Sequence, residues 1–97
     1  MLLVADSVVV KVKIRNRLGM HARPAMEFVE TASGFGCEIS VCRGDAPDEK
    51  VDGKSIMQVM MLAATQGTEL VIEAAGADAK AACDRLVRLV ESGFDEE

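Results

Sequence analysis

The chain has 97 residues, with 16 acidic and 11 basic side chains, and its formal net charge is −5. This charge excludes broad binding of nucleic acids or acidic membranes, because no basic surface offsets the acids. Hydrophobic residues make up 49% of the chain and aromatic residues only 3%, which predicts one domain, 1–97, with an aliphatic core. The shortage of aromatics also removes the stacking surfaces of single-strand nucleic-acid binders.

The first two predicted elements are a strand and a helix, separated by the break "NRLG". Before the break, "SVVVKVKIR" alternates strictly between apolar and polar residues, which predicts a half-buried strand. After it, Pro24 is tolerated only in a first helical turn, so the helix begins near His21, and Gly34 ends it. The face of this helix expected to be buried comprises Ala22, Ala25, Met26, Val29 and Ala32.

The next two elements are predicted to form a hairpin. "CEISVC" alternates, with Cys37, Ile39 and Val41 on one face. The turn cluster "RGDAPD" follows, and "EKVD" is a short polar strand that suits the edge of a sheet. Cysteines 37, 42 and 83 lack the CxxC spacing of a zinc site and do not form a disulfide framework, so we expect three small buried residues.

The second half of the chain predicts helix, strand and helix. "GKSIMQVMMLAATQG" has Ser55 as its N-cap and Gly67 as its end. "TELVIEA" alternates as a strand, and "GADAKAACDRLVRLVESG" is a helix that Asp78 is expected to cap. The acidic tail 94–97 is expected to be frayed. The order β-α-β-β-α-β-α predicts two layers, with one face of the sheet open to water.

His21 is the only histidine and lies in "LGMHARPA", at the expected start of the first helix. A helix start presents backbone N–H groups and a partial positive charge, which together bind anions such as phosphate. A neutral imidazole can attack a phosphoryl group and later leave from it, and the Arg23 guanidinium can hold phosphate oxygens. From spacing alone, the interpretation of His21 as a polar surface residue or a helix cap outweighs the phosphate hypothesis.

Two longer motifs favour the phosphate hypothesis. "GMHARPA" resembles the active-site signature of the histidine-containing phosphocarrier protein (HPr) family of the bacterial phosphoenolpyruvate-dependent phosphotransferase system. "KSIMQVMMLA" and "TQGTELVI" are similar to that family's second signature and to the strand after it, so the resemblance spans about residues 8–90. It implies an α+β open-faced β-sandwich, a four-stranded antiparallel sheet with three helices on one face. It also implies a phosphocarrier that is not a stand-alone enzyme.

The resemblance assigns expected roles residue by residue. His21 falls on the histidine that is phosphorylated at Nδ1, and Arg23 on the arginine that assists transfer. Ser55 falls on the serine that an HPr kinase/phosphorylase modifies in many bacteria, although an N-cap alone also explains it. The expected partners are enzyme I and IIA permease components. The residues expected to bind them are Met20, Ala22, Ile56, Met57 and Met60.

Other features of the sequence bear on nucleotide binding, on localisation and on the branch of the phosphotransferase system. "GKS" does not end a nucleotide-binding phosphate loop, because Asp48 stands where that motif needs its first glycine. No apolar run approaches the roughly 18 residues of a membrane span, and we expect a cytoplasmic protein. We also expect it to be a monomer that uses no cofactor and no metal. A sugar-uptake carrier, a nitrogen-branch carrier and a non-transferring module controlled by Ser55 all remain open, although His21 argues against the last. The long hairpin 43–50 lies away from the motif in sequence and is expected to leave transfer unaffected.

Overall fold

The secondary structure follows the predicted order. The computed structural model describes residues 7–95 and contains four strands, three α-helices and a final 3-10 turn. The strands are β1 (Ser7–Lys13), β2 (Glu38–Arg43), β3 (Val51–Asp52) and β4 (Glu69–Ala75). The helices are α1 (Ala22–Ser33), α2 (Ile56–Met61) and α3 (Ala79–Glu91), and the 3-10 turn is Gly93–Asp95.

The strands form one antiparallel sheet in the order β1-β4-β2-β3. In the central strand β4, Ile72 lies opposite Val10 of β1 and Val41 of β2. Strand β3 is only two residues long and lies at the edge, as its polar sequence predicted. The open-faced α+β fold expected from the sequence is therefore confirmed.

The apolar face of the sheet packs against the helices. Leu70, Ile72 and Ala74 are fully buried there, as their alternation predicted. Cysteines 37, 42 and 83 are free thiols and are buried, again as predicted. Among the helices formed by residues 7–95, none has the length and apolar character that crossing a membrane requires.

Helix α1 begins and ends where predicted and buries only part of the predicted face. His21 is its N-cap and Gly34 its C-cap. Phe28 is completely buried, whereas Met26, which was expected to point inward, is 48% exposed. Two positions along a helix correspond to about 200° of rotation, so a helix that buries Phe28 must expose Met26.

Helix α2 is much shorter than predicted. It ends at Met61, whereas the sequence suggested an end near Gly67. The chain leaves the helix through Ala63, which has a positive φ of 51°, and this turn brings the flanking Leu62 and Ala64 into the core. The apolar run therefore continues past the helix because the loop after it is also buried.

The start of α3 also differs from the prediction. The Asp78 carboxylate does not cap α3; it accepts hydrogen bonds from the backbone N–H of Gly36 at 2.9 Å and of Cys37 at 3.0 Å. The hydrogen bond from the Gly36 N–H, followed by one from the Cys37 side chain, holds the pKa of Asp78 below its usual value. Asp78 thus ties the segment between α1 and β2 to the start of α3.

The predicted frayed tail is wrong at its first residue. Phe94 is only 1% exposed and packs into the core through a left-handed backbone turn with φ 57°. Its large apolar side chain supplies the burial that an acidic tail alone lacks. Residues 96 and 97 of the predicted tail lie outside the described part of the chain.

Candidate functional site

His21 occupies the N-cap of α1. Its backbone is extended, with φ −81° and ψ −171°, and its carbonyl accepts the hydrogen bond from the Ala25 N–H at 3.0 Å. The N–H groups of Ala22 and Arg23 precede that bond and so have no acceptor within the helix, and Pro24 has no N–H. The half-buried His21 side chain therefore lies beside a cluster of backbone donors suited to phosphate oxygens.

The segment before His21 is held against the loop that follows α2. The Met20 N–H donates to the Ala64 carbonyl at 2.8 Å. Gly19 has a φ of 69°, and a Cβ at this position would lie only 2.4 Å from the Ala64 oxygen. Only glycine permits this close approach, so the glycine in "LGMHARPA" lets the segment before His21 pack against the loop after α2.

Asn16 supports the same segment from inside. Its side chain is 1% exposed, and its Nδ2 donates to the Gly19 carbonyl at 2.8 Å. The Gly19 N–H in turn donates to the Asn16 carbonyl at 3.2 Å. The sequence did not single out Asn16, because asparagine is common in turns for reasons that need no tertiary contact.

Arg23 lies in the first turn of α1, two residues after His21. Its side chain is exposed, and its Nε lies 3.8 Å from a carboxylate oxygen of Glu27. An exposed pair at this distance contributes little to stability. The guanidinium can therefore turn toward an anion bound at the helix start without disturbing the fold.

An exposed apolar surface, here called the methionine surface, consists of Met57, Met60 and Met61 on α2. Met57 is 73% exposed and Met61 74% exposed. Helix α2 packs against α1, and the loop after α2 provides the Ala64 carbonyl that binds Met20. The loop that follows the methionine surface is therefore bonded to the segment before His21, and Leu18 and Met26 are exposed as well.

The expected partner-binding residues do not all reach this surface. Ala22 is exposed and Ile56 partly so, but Met20 is only 4% exposed. The structure thus corrects the placement expected for Met20, which supports the segment from below. The sequence did not single out Met61 and Leu18. Their exposure depends on the shortness of α2 and on the turn before His21, which are tertiary features.

Ser55 is the N-cap of α2, as predicted. Its backbone is extended and its Oγ accepts a hydrogen bond from the Gln58 N–H at 3.3 Å. The side chain is half-buried and immediately precedes Ile56 and Met57 of α2. Ser55 therefore lies at the edge of the methionine surface, separate from the His21 turn.

Comparisons with known proteins agree with this geometry. The family model described as the PTS HPr component phosphorylation site matches residues 8–92. The HPr of Pseudomonas putida is 49% identical over 86 residues, which cover 89% of this chain and 93% of the relative. The phosphocarrier NPr of Proteus mirabilis is 40% identical over 87 residues, covering 90% and 94% of the two chains.

Solved structures give the same result. The HPr of Thermoanaerobacter tengcongensis superposes with a TM-score of 0.85 at 43% identity, covering 93% of this chain and 98% of that one. The HPr of Bacillus anthracis gives 0.79 at 33% identity, covering 87% and 96%. Members of this family carry phosphoryl groups in the phosphotransferase system and are not stand-alone enzymes. With its signatures, its fold and its relatives in agreement, the chain belongs to the HPr family of phosphocarrier proteins.

Proposed function

We propose that this chain accepts a phosphoryl group on Nδ1 of His21 from enzyme I and passes it to IIA components. The observation that carries the proposal is the position of His21 at the N-cap of α1, beside backbone donors and Arg23, on a segment bonded to the loop after the methionine surface. We place these reactions in the cytoplasm, where phosphoenolpyruvate, the first donor, is produced.

The proposed chemistry needs only one nucleophile. A lone pair on the neutral imidazole attacks phosphorus, the N–P bond forms, and the bond from phosphorus to the donor group of enzyme I breaks. In the second transfer the IIA acceptor attacks and His21 leaves as neutral imidazole again. The backbone N–H groups of Ala22 and Arg23, with the Arg23 guanidinium, stabilise the charge on the phosphoryl oxygens in both steps.

The methionine surface provides the proposed dock for both partners. Unbranched methionine side chains adapt to differently shaped apolar surfaces, which suits a carrier that must bind a donor and an acceptor in turn. We expect the carrier to be a monomer and each partner to bind it over α2. The phosphoryl group is then transferred at His21.

A relay assay tests this proposal. The chain is phosphorylated by enzyme I, separated from it, and mixed with purified IIA proteins. We expect the label to move to IIA, and we expect the same of a Lys80→Ala control, since the exposed Lys80 pairs with the exposed Asp84 on α3. A chain that is labelled but transfers to no IIA protein would contradict the carrier proposal.

A nitrogen-branch carrier is the second candidate, because NPr proteins are among the relatives. The NPr of Escherichia coli is 38% identical over 86 residues, against 49% for the HPr of Pseudomonas putida. Parallel labelling with the enzyme I of each branch separates the two candidates. The sugar branch is supported if its enzyme I has the higher kcat/KM, and the nitrogen branch if the order is reversed.

We also propose that Ser55 is a regulatory phosphorylation site for an HPr kinase/phosphorylase. A charge of about −2 at the edge of the methionine surface must be desolvated when a partner binds, and this weakens binding. Ser55→Asp keeps a residue that caps helices well, so its Tm should stay near wild type while labelling by enzyme I slows. Ser55→Ala should be labelled normally but lose about 1 kcal/mol of stability. Wild-type labelling of Ser55→Asp would leave Ser55 as a cap only.

A further inference from the structure

Arg43, the last residue of β2, connects the 43–50 hairpin to the end of α2. Its Nε and Nη2 donate to the two carboxylate oxygens of Asp45, each at 3.0 Å, which forms a bidentate pair. Its Nη1 donates to the carbonyls of Leu62 and Ala63, each at 3.3 Å. One guanidinium therefore links the hairpin turn to the residues through which the chain leaves α2.

The end of α2 needs such a partner. The last carbonyls of any helix lack intrahelical donors, and a helix of six residues has little stability of its own. Ala63 also adopts a φ of 51°, a conformation that costs energy for a residue with a Cβ. A planar cation paired with a carboxylate binds the carbonyls of Leu62 and Ala63, immediately after the helix, and stabilises the turn.

The residue after this turn contacts the His21 segment directly. Ala64 is buried, and its carbonyl accepts the Met20 N–H at 2.8 Å. The same carbonyl forms the surface against which Gly19 packs. A displacement of residues 62–64 therefore shifts His21 through the hydrogen bond to its neighbour Met20. It also shifts Met60 and Met61, which directly precede these residues in α2.

We infer that Arg43 is a positioning residue for phosphoryl transfer: its fork between Asp45 and the Leu62 and Ala63 carbonyls sets the relative placement of His21 and the methionine surface. This inference rests on the proposed function. It also revises the expectation that the hairpin leaves transfer unaffected, since that expectation considered distance along the chain only.

The Asp45 contact strengthens the role of the fork. The hydrogen bond between Arg43 and Asp45 raises the pKa of Arg43 and lowers the pKa of Asp45, so both groups are charged throughout the neutral range. Because Asp45 fixes two of the guanidinium nitrogens, the third nitrogen has one preferred direction, toward α2.

Two measurements on Arg43→Ala test the inference, with Lys50→Ala as matched control. Lys50 lies in the same hairpin, but its Nζ pairs with Glu73 of the sheet at 2.9 Å. We expect the Met20 amide of Arg43→Ala to exchange with solvent about tenfold faster, while amides of β4 keep their rates. We expect kcat/KM for phosphorylation by enzyme I to fall about tenfold. The control should match wild type in both.

The outcomes separate this inference from the proposed function. Unchanged Met20 exchange or unchanged kcat/KM in Arg43→Ala overturns the inference, as does an equal acceleration at Met20 and β4, which indicates general loss of stability. If enzyme I does not label the wild type, the proposed function fails while the exchange data still show whether Arg43 holds the segment. Should Arg43→Ala not fold, Asp45→Ala loosens the fork and must shift both readouts in the same direction.

Discussion

At the scale of single residues, the site combines one nucleophile with one mobile cation. His21 is fixed by its place at the N-cap, because Gly19, Met20 and Ala25 hold the backbone on both sides of it. Arg23 is different, since only its backbone is fixed by α1. A rigid acceptor beside a movable charge suits a group that must be received and then given away, because the cation can follow the phosphoryl oxygens.

Arg23→Ala should slow phosphoryl transfer from enzyme I by roughly 10- to 1000-fold, because one permanent positive charge near the transferring group is lost. The Tm should stay near wild type, since the pair with Glu27 is exposed and long. Rapid-quench labelling provides the rate. Glu27→Gln removes the same ion pair and should leave transfer nearly unchanged, so equal slowing in both variants would contradict a role for the Arg23 charge.

At the scale of elements, α2 exposes its methionines because it is short and lies on one side of the sheet. Of its six residues only Val59 is buried. Met57, Met60 and Met61 are exposed and therefore contribute little to the core. Substitutions there should affect partner binding and leave stability nearly unchanged.

The double variant Met57→Gln/Met61→Gln should raise the KM for phosphorylation by enzyme I about tenfold, because two exposed apolar contacts with the partner are lost. Its Tm should stay within a few degrees of wild type. Val9→Gln is the control, since Val9 is also an exposed apolar residue but lies on edge strand β1. If Val9→Gln raises the KM equally, docking does not occur over α2.

At the scale of the whole molecule, Asp78 joins two parts of the chain that are 41 and 42 residues apart. Because its folded pKa is below its unfolded value, its contribution to stability is present above the unfolded pKa, about 3.9. The contribution is lost as the pH falls through the folded pKa. Asp78→Asn should therefore lower the Tm at pH 7, and it should lose less stability than wild type as the pH falls from about 3.9 through the lower folded pKa. Thermal melts across this range provide the measurement, and parallel curves for the two proteins would contradict the tether.

The sequence predicted the order of elements because alternation and helical spacing are local signals. The strand faces, the start of α1 at His21 and the Ser55 cap all followed from residues within one turn of each other. The end of α2, the burial of Met20 and the N–H groups that donate to Asp78 could not be predicted. Each depends on a contact between segments distant in the sequence, such as Ala64 with Met20 or Asp78 with Gly36.

The identity of the phosphorylated residue is the central claim, and one labelling experiment tests it most directly. The chain is incubated with enzyme I, phosphoenolpyruvate and Mg²⁺, beside His21→Ala and a Ser55→Ala control. Wild type and the control should each gain a single phosphate that is labile to acid and stable to base, as expected of a phosphohistidine, whereas His21→Ala should gain none. An acid-labile phosphate that persists in His21→Ala would contradict the account.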